Sequence, residues 1–423
     1  MKDQAMRVGY LMQNGAPDLG SISGPQLHVC AVIEGLQARG HSVRTVALQH
    51  GRLGWSDDLK ERLSWAKDGG GAGWFRLTES LLRRTQCELQ LPFLGLFDSV
   101  HYARTCTELL RDYDVLYERH GYMGYGGLIA ARRLGIPLVV ELNGNILREI
   151  EVRCLKMSTV QRQIGHWITC WTLRAANHVV VVSEALKRMV TQDLGVPAER
   201  VSVVLNGVNA ETFGRSYDGA LVRERFQLGP RRIVAFVGSF EPWHGVDLLV
   251  SSFGRLRPIL STTQLVLVGD GEGRRSVERQ IDELGLTGHV RLLGRLPQEE
   301  VAAILSVTHV VVAPYPYEQC DILGTPLKLM EYMAAGKAIV ATSTPIHELI
   351  ADEVTGLRVA PARADALAHG ILRLLEDHEL RSRLEANARC VGREYTWERT
   401  ARRLDEILTV VVRHREKQSR AAA

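Results

Sequence analysis

The sequence predicts an α/β protein with two domains, each built on a parallel β-sheet with helices on its faces. Short apolar segments of strand length alternate with segments of helix length through most of the chain. A polar stretch at 209–231 interrupts this alternation, which then begins again. The chain has 423 residues, more than one ordinary hydrophobic core accommodates.

Composition narrows the class of protein. The net charge of +4 is too small to indicate a nucleic-acid partner. The seven cysteines are odd in number, scattered and without a C-x-x-C pair, which argues against disulfides or a zinc site and for a reducing compartment. The sequence shows neither a signal peptide nor an apolar run of membrane-spanning length, so we predict a cytoplasmic protein. The basic run 413–420 is interpreted as a frayed, solvated end, with weak contact to anionic lipid as the alternative.

The first half contains strands and helices in regular order, apart from one interruption. We predict strands at 8–12, 43–48, 114–118, 137–142, 178–183 and 201–205, and helices at 25–39, 122–134, 159–176 and from Ser183. Arg119-His120 and Asn143 follow two of these strands, so they are expected at one edge of the sheet. His120 is equally consistent with a structural role.

The interruption is an insertion at about 51–111, for which we predict two or three helices. It contains Trp55, Trp65 and Trp74. We expect these rings to pack the insertion against its own domain, with stacking on a sugar or lipid acceptor as the alternative.

The second half repeats the pattern. Strands are predicted at 233–238, 264–268, 290–293, 310–313 and 338–342, and helices at 246–256, 297–305, 364–376 and 380–394, with one more ending at Leu284 and a last helix capped by Thr396. Gly238 ends one of these strands, and Gly269-Asp270-Gly271 follow another. Glycine-rich junctions of this kind bring backbone N–H groups close to phosphates, although neither has the G-x-G-x-x-G spacing.

The stretch after the 310–313 strand contains the residues that most clearly indicate a bound ligand. Thr325 is a plausible N-cap and Pro326 a plausible first helical residue, and a helix N-terminus at a sheet edge suits a phosphate. Lys328 can neutralise the phosphate, and Glu331 on the same face can accept two sugar hydroxyls. The pattern indicates a nucleotide diphosphate. A solvated Lys–Glu pair is the alternative.

Together these segments resemble the retaining nucleotide-sugar glycosyltransferases of family 4, which have the GT-B fold. The resemblance is close to continuous from about Gly195 to Trp397 and looser before it. The residues that carry it are Gly40-His41-Ser42-Val43, Asn206-Gly207-Val208 with Phe213, Val237-Gly238-Ser239-Phe240 with His244-Gly245, Leu267-Val268-Gly269-Asp270-Gly271, Val290-Arg291-Leu292-Leu293-Gly294, Pro326-Leu327-Lys328, Glu331-Tyr332-Met333-Ala334-Ala335-Gly336 and Trp397-Glu398.

The resemblance implies two Rossmann-like domains facing across a cleft, with a C-terminal helix that crosses back to the N-terminal domain. The implied limits are 1–208 for the acceptor domain, 209–395 for the donor domain, and 396–423 for the crossover helix and basic tail. It further implies that Glu331 holds ribose hydroxyls, that Arg291-Leu292 contact the base through backbone, that Gly24 lies near the phosphates and His120 near the donor sugar. The implied catalytic residues are His120, Lys328 and Glu331; the donor contacts are Gly24, Gly238, Ser239, His244, Gly269, Asp270, Arg291, Leu292, Thr325, Pro326 and Leu327; and the acceptor or sugar contacts are Asn143 and Arg119.

The sequence departs from the family pattern at three positions. The family has a second glutamate eight residues before Glu331, where this chain has Leu323, and Asp321 is the candidate substitute. The arginine and lysine that usually clamp the pyrophosphate are replaced by Ser239 and His244. Lys328 is then the main cation, assisted by His244 if its ring is protonated.

The predicted function is transfer of a sugar from a nucleotide-diphosphate sugar to an acceptor hydroxyl with retention of configuration. No metal or cofactor is expected, and the nucleotide sugar is a co-substrate. The acceptor is open among small metabolites, glycans and lipid-linked compounds, with at most peripheral contact with the inner face of the membrane. Two alternatives stay open: a non-catalytic nucleotide-sugar binding or scaffold protein, and a nucleotide-sugar epimerase of the same fold.

Overall fold

A computed structural model shows two compact units. Unit 1 comprises Met1–Ser21, Pro25–Leu205 and Thr400–Ala423, and unit 2 comprises Ile22–Gly24 and Asn206–Arg399. The structure describes residues 5–14, 17, 23–49, 52–58, 63–65, 85, 96–152, 158–316, 324, 326–344 and 349–422. Within these residues, none of the helices combines the length and apolar character needed to cross a membrane.

Unit 1 is built on a sheet of eight strands, in the order β4-β3-β2-β1-β5-β6-β7-β8. The strands are β1 (Arg7–Met12), β2 (Ser42–Gln49), β3 (Arg52–Ser56), β4 (Ser64–Trp65), β5 (Val115–Arg119), β6 (Leu138–Leu142), β7 (His178–Val181) and β8 (Val201–Val203). The helices are α1 (Gly24–Ala38), α2 (Leu96–Leu109), α3 (Gly126–Leu134), α4 (Ile146–Val152), α5 (Thr159–Ala175) and α6 (Glu184–Gln192). β1, β5, β6, β7 and β8 run parallel, and all of them except the edge strand β8 are almost wholly buried, as continuous apolar strands are when helices cover both faces.

Unit 2 has a six-stranded parallel sheet in the order β11-β10-β9-β12-β13-β14. Its strands are β9 (Arg232–Val237), β10 (Thr263–Val268), β11 (Val290–Gly294), β12 (Val310–Ala313), β13 (Ala338–Thr342) and β14 (Leu357–Val359). Its helices are α7 (Ala210–Gly214), α8 (Gly219–Arg225), α9 (Val246–Gly254), α10 (Arg274–Glu283), α11 (Gln298–Ser306), α12 (Leu327–Ala334), α13 (Ala364–Glu376) and α14 (His378–Gly392). The reversal of strand order around β9 makes this a doubly wound sheet.

The last helix, α15 (Trp397–Ala422), joins unit 1 from Thr400 onwards. Its buried Asp405 lies 2.9 Å from His41 Nε2 and 2.6 Å from Arg39 Nε. His41 Nδ1 in turn accepts the N–H of Met6 at 3.1 Å. The Gly40-His41 pair therefore connects β1, α1 and α15, which explains why a histidine follows the glycine that ends α1.

Three expectations about local structure were wrong, and the expected packing of Trp55 on its own unit is confirmed. The insertion contributes antiparallel strands β3 and β4 beside β2, and α2 is its only long helix among the described residues. Trp55 belongs to β3 and stacks under the guanidinium of Arg44 at 4.7 Å, so it packs on its own unit, whereas Trp74 lies outside the described residues. The supposed linker 209–231 contains α7 and α8, each capped by an Asn or Asp side chain. The basic run 413–420 continues α15 rather than fraying.

Candidate active site

Two glycines shape the carboxyl edge of the unit 2 sheet. Gly238 follows β9 with φ +146° and Gly269 follows β10 with φ +136°, conformations that favour glycine. A Cβ on Gly269 would lie 1.8 Å from the carbonyl oxygen of Gly238. Backbone bonds from Gly238 N to Val268 O (2.9 Å) and from Gly269 N to Gly294 O (2.7 Å) join the ends of β9, β10 and β11. The two loops are therefore packed backbone to backbone.

Helix α12 begins at this edge. Pro326 is its N-cap with an extended ψ of 132°, so the prediction of Pro326 as the first helical residue was wrong by one position. Tyr332 fixes the helix against the sheet, because its hydroxyl accepts the N–H of Val237 at 2.8 Å. The helix ends before Gly336, which has φ +60° as a helix-terminating glycine should. Thr325, Asp321 and Leu323 lie outside the described residues.

Lys328 lies in the first turn of α12 and is 7% exposed. Its Nζ is 4.3 Å from the ring centre of Phe236 and 5.3 Å from that of Tyr315. A Cβ on Gly238 would lie 2.6 Å from Nζ. Within the described part of the chain Nζ has no hydrogen-bond partner. Burial lowers the pKa of Lys328 to about 7, against the opposing effect of Glu331. The ammonium is thus a buried donor without an acceptor at a helix N-terminus.

Glu331 lies one turn further along α12 and is 8% exposed. Its Oε1 accepts a hydrogen bond from Gln298 Nε2 at 3.3 Å. Burial raises the pKa of Glu331 to about 7, although the Gln298 bond and Lys328 oppose the shift. A lysine and a glutamate are therefore buried on one face of the helix. Each has fewer hydrogen-bond partners among the described residues than a buried ionised group requires.

His244 is the third ionisable side chain of the site that contains Lys328 and Glu331. Its Nδ1 lies 2.6 Å from the carbonyl oxygen of Ser239 and 3.2 Å from the Ser239 hydroxyl. Burial, together with the charge of Lys328, keeps the pKa of His244 well below its usual value. His244 was assigned a supporting role from the sequence only if its ring is protonated; the geometry favours a neutral ring whose Nδ1–H donates to Ser239 O. Of Lys328 and His244, only Lys328 then supplies a positive charge to this group.

The remaining predicted donor contacts come from four parts of the chain. Asp270 follows β10, and its Oδ1 accepts the N–H of Gly271 at 2.9 Å. Arg291 turns its guanidinium to Gln227 Oε1 at 2.5 Å, while Arg291 and Leu292 belong to β11, the edge strand of the sheet. An edge strand leaves backbone groups on one side available. Leu327 is the first residue of α12, and Gly24 is the first residue of α1.

Arg119, His120 and Asn143 lie together in unit 1, at the carboxyl ends of the neighbouring strands β5 and β6. The N–H of His120 donates to Glu141 O at 2.9 Å. Its ring is 7% exposed, and neither ring nitrogen has a hydrogen-bond partner in the described ranges. Burial lowers the pKa of His120 to about 4, so the ring is neutral at physiological pH.

Several residues that shape these sites were not predicted from the sequence. Phe236, Tyr315 and Gln298 surround Lys328 and Glu331, but they come from β9, the segment after β12 and the start of α11, respectively. Glu141 in β6 was also missed as a charged residue, although a glutamate in an otherwise apolar strand is a signal that could have found it.

Comparison with known sequences assigns both halves of the chain. The sequence model for "Glycosyltransferase Family 4" matches residues 22–212, and that for "Glycosyl transferases group 1" matches residues 222–391. The chain belongs to the family 4 glycosyltransferases. This glycosyltransferase is similar to the alpha-D-kanosaminyltransferase of Streptomyces kanamyceticus, with 29% identity over 62% of this chain and 67% of the relative. It is also similar to the MMP alpha-(1->4)-mannosyltransferase of Mycolicibacterium hassiacum, with 29% identity over 72% of each chain.

Solved structures identify the fold of this glycosyltransferase. The Anabaena protein HepE, crystallised in complex with UDP and glucose, superposes with a TM-score of 0.71 at 19% identity. The superposition covers 96% of this chain and 99% of HepE. The fold is GT-B, as the sequence motifs predicted.

Proposed function

We propose that this glycosyltransferase moves a hexose from a nucleoside-diphosphate sugar to an acceptor hydroxyl, with retention of anomeric configuration and without a metal ion. The observation that carries the proposal is the buried ammonium of Lys328 beside the N-terminus of α12, which has no hydrogen-bond partner among the residues that the structure describes. An anion is the ligand that such a donor and a helix N-terminus both favour. HepE binds UDP and glucose on the same fold, which supports a nucleoside-diphosphate hexose as donor.

The geometry of unit 2 supports one orientation of the donor. The phosphates lie against α12 beside Lys328, and Gly238 leaves the space that the Lys328 ammonium occupies, because a Cβ there would lie 2.6 Å from Nζ. The ribose hydroxyls reach Glu331, and the base lies along the backbone of β11. Binding of the diphosphate raises the pKa of Lys328, since an adjacent negative charge favours the ammonium form.

The chemical step breaks the bond between the sugar carbon and the diphosphate oxygen. Negative charge develops on the leaving diphosphate, and Lys328 and the α12 N–H groups stabilise it. The acceptor hydroxyl attacks from the face that the diphosphate leaves, and its proton passes to a phosphate oxygen. Configuration is retained, and no carboxylate nucleophile is required. His120, neutral and without a partner in the described residues, is available to hydrogen-bond the donor sugar.

The experiment is incubation of the protein with a panel of nucleotide sugars, with and without acceptor extracts, measuring released nucleoside diphosphate. We expect release from one donor to depend on an acceptor extract and to continue in EDTA. NMR of the product should show the anomeric configuration of the donor. Inversion of configuration or dependence on a divalent cation would contradict those parts of the proposal.

The same panel distinguishes the two alternatives. A binding or scaffold protein would bind a nucleotide sugar without releasing diphosphate in any extract. An epimerase would convert the sugar of the donor and form no transferred product. Either result would overturn the proposed transfer.

A further inference from the structure

Glu141 is a buried carboxylate that the mechanism above does not use. It lies in β6 and is 2% exposed. His28 of α1 places Nε2 at 2.7 Å from its Oε1. Burial raises the pKa of Glu141, but His28, the charge of Arg119 and the amide of Asn143 outweigh burial and lower the pKa to about 2. The group is therefore ionised throughout the physiological range.

Side chains from α1, β1 and β5 contribute to the environment of this carboxylate. Tyr10 of β1 and Tyr117 of β5 are wholly buried with ring centres 5.5 Å apart, and Glu141 raises the pKa of both, after burial as the larger cause. Cys30 of α1 also faces Tyr10. Arg119 is the cation that lowers the pKa of Glu141 and of both tyrosines. Glu141 is thus the negative centre of a buried polar group that includes the guanidinium of Arg119.

Two donor atoms at the surface of this group lack acceptors. Arg119 Nη1 and Asn143 Nδ2 are buried, and neither makes a hydrogen bond of normal geometry to the described residues, although the Asn143 amide is close enough to Glu141 to lower the pKa of that carboxylate. Unpaired buried donors are rare, because each has lost its water without gaining a partner. Both residues lie next to Glu141: Arg119 is its register partner on β5, and Asn143 follows it by two residues along the chain. The charge of Arg119 also lowers the pKa of Glu141. Both donor atoms can be satisfied by a ligand oxygen atom that accepts hydrogen bonds.

We propose that Glu141 is a positioning residue: held by His28, its carboxylate orients Arg119 and Asn143 so that their donor atoms bind an oxygen-bearing group of the acceptor. The acceptor role rests on the proposed function, whereas the orienting role concerns unit 1 alone. His28 serves to keep the carboxylate ionised in its buried position. The acceptor class that fits two donors is one with a hydroxyl, carboxylate or phosphate oxygen beside the attacking hydroxyl.

The test compares Glu141→Gln, which keeps shape and loses charge, with His28→Leu and with His28→Gln, which retains a donor. Glu108→Gln is the control, because Glu108 is an exposed glutamate of unit 1 paired with Arg104 on the same helix. Crystal structures of the parent and variants, without ligands, should show Arg119 and Asn143 displaced in Glu141→Gln and His28→Leu. Both side chains should keep the parental orientation in His28→Gln and Glu108→Gln. If Arg119 and Asn143 keep their parental positions in Glu141→Gln, the orienting role is wrong. This result does not depend on which nucleotide sugar the enzyme uses.

Kinetics test the acceptor role separately, with the donor and acceptor extract that support transfer in the panel. In Glu141→Gln, the half-saturating amount of acceptor extract should rise by about ten-fold or more, while the KM for the donor changes by less than about three-fold. The acid limb of the rate–pH profile should lie at higher pH in His28→Leu than in the parent. In His28→Gln it should lie at the parental position. Equal changes for donor and acceptor would overturn the acceptor role. Absence of any transfer by the parent would instead refute the proposed function, and the crystal structures would still decide the orienting role.

Discussion

Lys328 in unit 2 and Glu141 in unit 1 are both buried charged side chains at the carboxyl edge of a parallel sheet, but they differ in partners. Glu141 has His28 at 2.7 Å, and its pKa falls to about 2. Lys328 lies on aromatic rings with no hydrogen-bond partner in the described residues, and its pKa falls to about 7. The fold compensates the first charge and leaves the second uncompensated.

The difference indicates a division of roles. A compensated charge keeps its ionisation and orients neighbours whether or not a ligand is bound. An uncompensated charge reduces the stability of the free protein, and binding of an opposite charge recovers that stability. Unit 2 is therefore expected to gain stability from ligand, and unit 1 is expected to lose it when its internal pair is broken. Four predictions test this contrast, from the largest expected effect to the smallest.

Lys328→Met should lower donor turnover by about 100- to 1,000-fold, the range for loss of one electrostatic contact to a developing charge. It should also raise the urea midpoint of the free protein, since an unpaired buried ammonium is removed. Lys337→Met is the matched control, because Lys337 Nζ donates to Ser306 O and Thr308 O, each at 3.2 Å. That control should lower the midpoint and leave turnover unchanged. Equal loss of stability in both variants would contradict the contrast.

The unfolding free energy should have a local minimum near pH 7 that the double variant Lys328→Met/Glu331→Gln lacks. The pKa of Glu331 is raised from 4.5 to about 7, so the folded protein binds more protons in this window and stability falls as pH rises through it. The pKa of Lys328 is lowered from 10.5 to about 7, so the unfolded chain binds more protons above pH 7 and stability rises again. Urea titrations at several pH values should show a difference of roughly 2–3 kcal/mol. A constant difference from pH 5 to 10 would refute the assignment.

His28→Leu should lower the unfolding free energy by about 2 kcal/mol, because it leaves the buried carboxylate of Glu141 without its partner. The pKa of Glu141 is lowered from 4.5 to about 2, so its stabilising effect is present above pH 4.5 and lost as pH falls through 2. In the variant this loss should begin at higher pH. His178→Leu, which removes a neutral hydrogen bond to Ser202 Oγ at 2.9 Å, is the control and should show a smaller loss. A neutral effect of His28→Leu would show that the pair does not stabilise unit 1.

Glu331→Gln should weaken donor binding by about ten-fold, with a smaller effect on turnover at saturating donor. A neutral amide still meets the ribose hydroxyls, but it loses the stronger bonds that a carboxylate accepts. Glu299→Gln, at an exposed position in the first turn of α11, is the charge-matched control. An unchanged KM for the donor in Glu331→Gln would place the ribose elsewhere.

The sequence predicted the positions of the buried strands and the helix of Lys328 because apolar segments and glycines report local conformation. β12 and β13 have the predicted limits, and α13 does too. Short elements such as β3, β14 and α4 were missed because their few apolar residues gain burial only from tertiary neighbours.

The sequence predicted where the site lies better than it predicted which side chains surround it. Lys328 and Glu331 could be paired from their spacing on one helix. Their burial, which moves both pKa values to about 7, depends on Phe236, Tyr315 and Gln298 from distant parts of the chain. The same holds for His244, whose neutral ring follows from burial that no local pattern reveals.

The most direct test of the account is a crystal structure with the nucleotide sugar selected by the panel, in which the distance from Lys328 Nζ to the nearest phosphate oxygen is measured. We expect about 2.8–3.0 Å, a charge-assisted hydrogen bond, with the diphosphate against the first turn of α12. A diphosphate bound elsewhere, with Nζ still lying over the Phe236 ring and no anion beside it, would contradict the account.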